Sequence, residues 1–229
     1  MISFRNITKV YQAGAKPIVA LSNVCFDIQP QEFVSIVGRS GAGKTTLLKL
    51  FLAEEKPTAG SIFFEKKDVH QIKSHLLPNF RRDIGVVFQD YKLLPSKTTY
   101  ENIAYVLEVM GASDVDIKND VARVLELVGL SNRAQNFPEE LSGGERQRAA
   151  IARALVHQPK VILADEPTGN LDPYCTKDII RLLTKINEMG TTVILATHDQ
   201  YIINSLVRRV ITLEEGKVIR DEERGRFTL

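Results

Sequence analysis

FVSIVGRSGAGKT, residues 33–45, opens with a short apolar run and closes on a glycine-rich loop. The run is rich in Val and Ile with little polar alternation, which predicts a strand buried on both faces. GRSGAGKT at 38–45 matches G-x(4)-G-K-[ST], and LLKLFLAE at 47–54 continues from it with the pattern of a helix. Strand, loop and helix in that order are the context in which this loop cradles a nucleoside triphosphate. Gly38, Gly41 and Gly43 let backbone N–H groups turn inward around phosphates, and the helix N-terminus adds its positive end. Arg39, Ser40, Ala42 and Thr46 complete the candidate loop. Lys44 reaches β- and γ-phosphate oxygens, and the Thr45 hydroxyl is placed to ligate Mg²⁺.

Working outward, IGVVF (84–88), VILA (161–164) and TVILAT (192–197) read as further buried strands. Each ends in a polar element: Gln89, Asp165–Glu166 and His198. Ligands of open α/β sheets bind just beyond the carboxyl ends of the strands, so these elements are expected to converge on one site. ISFRNITKVY (2–11), VALSNVCFDI (19–28) and GSIFFEKKDV (60–69) predict a small antiparallel sheet beside that core. Residues 91–158 predict a mainly helical insert, with helices over 99–110, 116–130 and 144–158 and Gly129 as a stop. The expected fold class is therefore α/β, in one domain of 229 residues. Its core spans about 1–90 and 159–229 and its helical subdomain about 91–158. The final DEERGRFTL reads as a polar, exposed tail.

Composition excludes several classes. The chain is 44% hydrophobic and 25% charged, with a net charge of +2, so bulk charge gives no reason to expect nucleic acid. Cys25 and Cys175 form no CxxC pair, consistent with a reducing compartment. No stretch approaches the roughly 18 apolar residues of a membrane span, and the N-terminus lacks a signal-peptide pattern. A cytoplasmic chain is expected, and any membrane role needs a partner that supplies the spans.

The remaining candidates carry chemistry by position. Asp165 would hold Mg²⁺, and Glu166 would act as general base on the attacking water; alone, the pair could equally be an acidic cap. Gln89 is either a sensor of the γ-phosphate through Mg²⁺ or the lytic water, or an ordinary polar loop residue. His198 is either a donor to the γ-phosphate or a surface histidine. Tyr11 can stack on a base or pack in the core. Tyr91, Leu93, Leu94 and Tyr100 either line a groove for a short helix from a membrane subunit or pack the insert onto the core.

LSGGE at 141–145 is a second glycine-rich turn at a helix start. Ser142, Gly143 and Gly144 offer a hydroxyl and bare backbone donors, another anion site. The bland reading is an ordinary capped helix. The functional one is a site that closes over a neighbour's nucleotide in a two-fold homodimer.

Together, GRSGAGKT, LSGGE, VILADE and GNLD (169–172) resemble the nucleotide-binding domain of ABC transporters over essentially the whole chain. The resemblance implies a RecA-like P-loop core, Mg²⁺-dependent ATP hydrolysis and dimerisation on ATP binding. It implies Gln89 as the Q-loop glutamine, His198 as the switch histidine, Tyr11 at the adenine-stacking position and Asp172 as a link across the dimer. SGGERQRAAIARAL and ADEPTGNLD look like the branch holding the lipoprotein-release, macrolide-exporter and cell-division ATPases. QDYKLLP followed by YENIAY looks most like the cell-division member. That member implies an integral membrane partner, a place on the inner face of the membrane and control of peptidoglycan hydrolases. Soluble ABC ATPases of DNA repair carry long coiled-coil insertions; here the interval between phosphate loop and signature shows no sustained heptads.

Overall fold

The computed structural model describes residues 2–13 and 16–226. The chain runs β1 (Ile2–Ala13), β2 (Lys16–Ile28), β3 (Phe33–Val37), α1 (Lys44–Phe51), β4 (Ala59–Phe64) and β5 (Lys67–Asp68). It continues α2 (Leu77–Arg81), β6 (Ile84–Phe88), α3 (Thr99–Met110), α4 (Asp114–Leu127) and α5 (Gly143–Leu155). The last elements are β7 (Val161–Asp165), α6 (Pro173–Glu188), β8 (Thr192–Thr197), α7 (Gln200–Leu206), β9 (Arg209–Glu214) and β10 (Lys217–Glu222).

The strands form two sheets. β2-β1-β4-β5 is antiparallel throughout. The larger sheet has the order β10-β9-β3-β8-β7-β6 and is parallel except for the β9–β10 pair at its edge. Because strand side chains alternate between faces, a sheet covered on both sides must be apolar at every position. Val161 and Leu163 of β7 join a core with α1 and the antiparallel sheet, whereas Ile162 and Ala164 join one with α3 to α6. β8 divides in the same way, Ile194 and Ala196 to one side, Val193 and Leu195 to the other. The second core continues without a break from the sheet into the helical segment, through Ile103, Leu107, Val121 and Leu125. The antiparallel sheet is fastened to α1 by Phe51, whose fully buried ring lies 5.9 Å from Phe64 and 6.3 Å from Phe4. Truncating such a ring costs roughly 3–5 kcal/mol.

The helix bounds differ in instructive ways from those the sequence predicts. α1 starts at Lys44 rather than 47, because the phosphate loop feeds directly into it. α4 begins at Asp114, capped by the Ser113 hydroxyl, with Asp114 and Asp116 in its first turn. α5 ends at Leu155, before the positive-φ Gln158. The expected polar tail is corrected at its start: Asp221 and Glu222 lie in β10, and the Asp221 carboxylate grips Arg209 at 2.7 Å. Residues 227–229 of that stretch lie outside the described residues. Among the described residues no helix is long and apolar enough to cross a membrane.

Candidate active site

The parallel register brings the strand ends level. Phe88 is paired with Asp165, Asp165 with Ala196, and Val37 with Thr197. The next residues, Gly38, Gln89, Glu166 and His198, therefore emerge at one edge of the sheet.

At that edge Gly43 caps α1 with φ 105°, a left-handed conformation that glycine adopts without penalty. Lys44 is 93% withdrawn from solvent, since only 7% of it is exposed. A buried ammonium needs partners. It donates to the Gly38 carbonyl at 2.8 Å and the Arg39 carbonyl at 3.3 Å, and pairs with Glu166 Oε1 at 3.4 Å. No acidic side chain occupies the first turn of α1, so its positive end is left for an anion. Arg39, Ser40 and Gly41 are exposed, whereas Gly38, Ala42 and Gly43 are buried.

Thr45 Oγ1 donates to Asp165 Oδ2 at 2.9 Å. The other oxygen, Oδ1, is buried without a hydrogen-bond partner. Burial raises the Asp165 pKa and the nearby Glu166 charge adds to the rise, against the Thr45 hydrogen bond and Lys44. An orphaned carboxylate oxygen beside a hydroxyl is a hard-oxygen donor set. Among the described residues no cluster of three or more His, Cys, Asp or Glu could hold a metal by protein ligands alone. This fits Mg²⁺, which is bound through one or two carboxylates and completed by substrate phosphates and water.

Glu166 has φ 48°, a strained backbone for a residue with a Cβ. Its N–H donates to the Ala196 carbonyl at 2.8 Å, which fixes the turn. Its Oε1 lies 2.8 Å from His198 Nδ1 as well as near Lys44. A cavity of about 540 Å³ joins Thr45, Gln89, Asp165, Glu166 and Asn170 to an apolar side of Leu48, Leu52, Val86 and Phe88. Gln89 exchanges hydrogen bonds with Asn170.

Tyr11 reaches the same loop from the antiparallel sheet. Its hydroxyl is hydrogen-bonded with Glu55 and Thr46, and burial, then Glu55, raise its pKa. Lys9 Nζ lies 4.9 Å from the ring centroid and 3.1 Å from Glu55.

The signature turn lies beside the segment that follows Glu166, where a Cβ on Gly143 would stand 4.0 Å from the Asn170 carbonyl. Ser142 caps α5 by accepting from the Glu145 N–H, while Glu145 accepts from the Ser142 N–H at 2.8 Å and from Arg133 at 3.0 Å. The backbone bond to Ser142 comes first in holding the Glu145 pKa down to about 2. A Cβ on Gly143 would meet Leu171 and Tyr91, and one on Gly144 would meet Cys175 Sγ at 2.9 Å. None of these neighbours belongs to the phosphate loop. Asp172 caps α6, its Oδ1 accepting from the N–H groups of Tyr174 and Cys175.

Of the expected groove residues, Leu93 and Tyr100 pack against the core, Leu94 is exposed and Tyr91 lies under Arg146. The apolar side of the cavity is supplied instead by α1 and β6. Sequence reading passed over three residues. Asn170 was hidden inside GNLD. Glu55 follows the end of α1 and binds Lys9 and Tyr11. Asn102, fully buried in the apolar stripe of α3, donates to the Leu94, Lys97 and Thr98 carbonyls and accepts from the Leu94 N–H. A polar residue within such a stripe was the available signal.

The chain matches the family described as ABC transporter over residues 21–169. It is 49% identical to the cell division ATP-binding protein FtsE of Bacillus subtilis (strain 168), over 99% of this chain and 98% of that protein. Against the protein of the same name from Mycobacterium tuberculosis (strain ATCC 25618 / H37Rv) the identity is 49%, over 98% and 97%. Against that of Escherichia coli (strain K12) it is 47%, over 94% and 96%. Among solved structures it resembles the ATP-binding cassette MJ0796 as a dimer, with a TM-score of 0.89 and 39% identity, over 99% of this chain and 100% of that one. It also resembles a dimeric post-hydrolysis state of that cassette bound to ADP and Pi, with a TM-score of 0.89 and 38% identity over the same shares.

Proposed function

This chain belongs to the ABC transporter family and is an ATPase, and from that premise we propose that it is the FtsE-like energy subunit of a bacterial cell-division complex. Two copies would close over two ATP molecules at the inner face of the membrane. An FtsX-like integral membrane protein would carry the motion outward to control peptidoglycan hydrolysis. The likeness to cell-division ATP-binding proteins along nearly the whole chain supports this setting.

The observation that carries the chemistry is Glu166 Oε1 held between Lys44 and His198, one residue after Asp165. In-line attack of water on the γ-phosphorus forms one P–O bond as the bond to the β-phosphate oxygen breaks. Glu166 takes the water proton, and the N–H of His198 donates to the γ-phosphate. Lys44 and the N–H groups of residues 38–46 hold the phosphates, and Tyr11 faces the base. Thr45 and Asp165, with Gln89, would hold Mg²⁺, which neutralises phosphate charge. Ser142, Gly143 and Gly144 would serve the neighbour's ATP, with Asp172 at the contact between copies. In this arrangement residues of about 91–158 form a helical subdomain on a core of about 1–90 and 159–229. The apolar side of the cavity at Leu48, Leu52, Val86 and Phe88 supports docking of a short helix from the membrane subunit beside Gln89.

The test is recovery of the membrane partner from native membranes with Glu166→Gln as bait and ATP present. An FtsX-like protein with four spans is expected. A permease with a substrate path would make the chain an exporter ATPase instead and leave the ATP chemistry in place.

A further inference from the structure

We propose that Asn170 is a positioning residue for hydrolysis: it fixes which end of the Gln89 amide is turned to the reacting groups. This rests on the reading of Gln89 as a sensor at the γ-phosphate. The argument begins with a backbone carbonyl, which can only accept. Asn170 Nδ2 donates to the Gln89 carbonyl at 3.3 Å, so the nitrogen of the Asn170 amide must be on that side. Its Oδ1 then faces the Gln89 side chain and accepts from Nε2 at 3.4 Å. One carbonyl thus settles the orientation of two amides. Gln89 Nε2 is directed to Asn170, and Oε1 is the end left for a cation or a water proton in the cavity shared with Asp165 and Glu166.

Gly169 makes the fit possible. A Cβ there would lie 2.8 Å from Gln89 Nε2 and 3.1 Å from Cδ. Gly169 is not left-handed, so this position needs a small residue for space rather than for backbone freedom. Gly169 thus approaches the Gln89 amide too closely for a Cβ, and the adjacent Asn170 bonds the same amide.

The prediction is a loss that passes through Gln89. In the full-length chain, Asn170→Ala lowers kcat about tenfold to a hundredfold, as expected when a reacting group is misplaced rather than removed. The affinity for ATP stays near wild type, and the Mg²⁺ concentration needed for half-maximal rate rises. Gly169→Ala, which removes no hydrogen bond, shifts both quantities in the same direction by displacing the amide. Asn170 is exposed, so its truncation leaves the fold intact, and melting temperatures check this for both variants. In a Gln89→Ala background neither change lowers kcat by more than about twofold further, because the group they act on is gone. Additive losses, or wild-type kcat in Asn170→Ala, would overturn the positioning role while leaving Gln89 as sensor. Wild-type kcat in Gln89→Ala itself would overturn the sensor reading and this proposal with it.

Discussion

Glu166→Gln separates base chemistry from binding because the substitution keeps length and shape and removes one charge. The structural cost is bounded by the partners lost. The His198 side chain is 62% exposed, so its pair with Glu166 is screened and contributes little. Lys44 loses an anion at 3.4 Å but keeps two carbonyl acceptors. A net cost of about 1–2 kcal/mol follows for a charge-assisted contact. For a chain of this length that lowers the melting temperature by about 2–8 °C. The chemical cost is larger. A positioned general base contributes about 10²–10⁴ in rate, which corresponds to roughly 3–5 kcal/mol of barrier. The strained turn persists, since Gln takes the same backbone as Glu. Phosphate release under steady state should therefore fall at least about a hundredfold, while labelled ATP still binds the folded chain. Turnover within about threefold of wild type, a barrier change below 1 kcal/mol, would refute the base assignment. Lost ATP binding with an intact fold would show that the Lys44–Glu166 contact organises the phosphate loop instead.

Gly143→Ala is expected to fold and to bind ATP as a monomer, because its Cβ meets Leu171 and Tyr91 at an ordinary 3.4 Å. Hydrolysis should be lost; loss of both activities would argue against the signature serving a neighbour's site. Thr45→Val removes the hydrogen bond to Asp165 and leaves both carboxylate oxygens without a protein partner. It should destabilise by about 1–3 kcal/mol and flatten the dependence of hydrolysis on Mg²⁺; an unchanged Mg²⁺ titration would remove Thr45 from the metal site. Glu145→Gln tests the depressed carboxyl. The folded pKa of about 2 lies below the ordinary 4.5, so the ionised cap stabilises above pH 4.5 and that contribution is lost as pH falls toward 2. The stability gap between wild type and variant in urea should be constant above that window and close within it; a gap independent of pH would place the stabilisation in neutral hydrogen bonding.

The edge that carries the candidate site was legible because parallel strands constrain their own ends. Once 33–37, 84–88, 161–165 and 192–197 are strands of one sheet, Gly38, Gln89, Glu166 and His198 have no other edge at which to emerge. Helix α3 was legible to the residue because both ends are written locally. Thr98 and Glu101 form a capping box, and Gly111 at φ 78° stops it. Helix α6 carries equally local signals, Asp172 as cap and Pro173 in the first turn, but GNLD draws the eye to chemistry at that spot. What sequence could not supply were contacts between distant loops. Asn102 bracing 94–98 and Arg153 donating to the Tyr91 and Lys92 carbonyls depend on how α3 and α5 lie across the sheet. Tyr11 is the intermediate case. The family resemblance implied a place near the phosphate loop, spacing alone left core packing equally open, and its neighbours Glu55 and Thr46 were not readable.

The four residues of GNLD show why a motif has to be read through its contacts. Gly169 and Asn170 engage Gln89, and Leu171 faces Gly143. Asp172 caps α6, which sets Cys175 against Gly144 at a distance that excludes a side chain. Within one chain, then, the residue proposed to sense a phosphate and the turn proposed to serve the neighbour's phosphate are joined by a single short turn. Packed elements of this kind shift between discrete arrangements rather than deforming gradually. Gln89 and Gly143 both contact the segment 169–171. The segment is held by the Asn170–Gln89 amide pair, by the Asp172 cap, by the Gly169 and Leu171 N–H groups on the Glu166 and Thr168 carbonyls, and by Leu171 against the core.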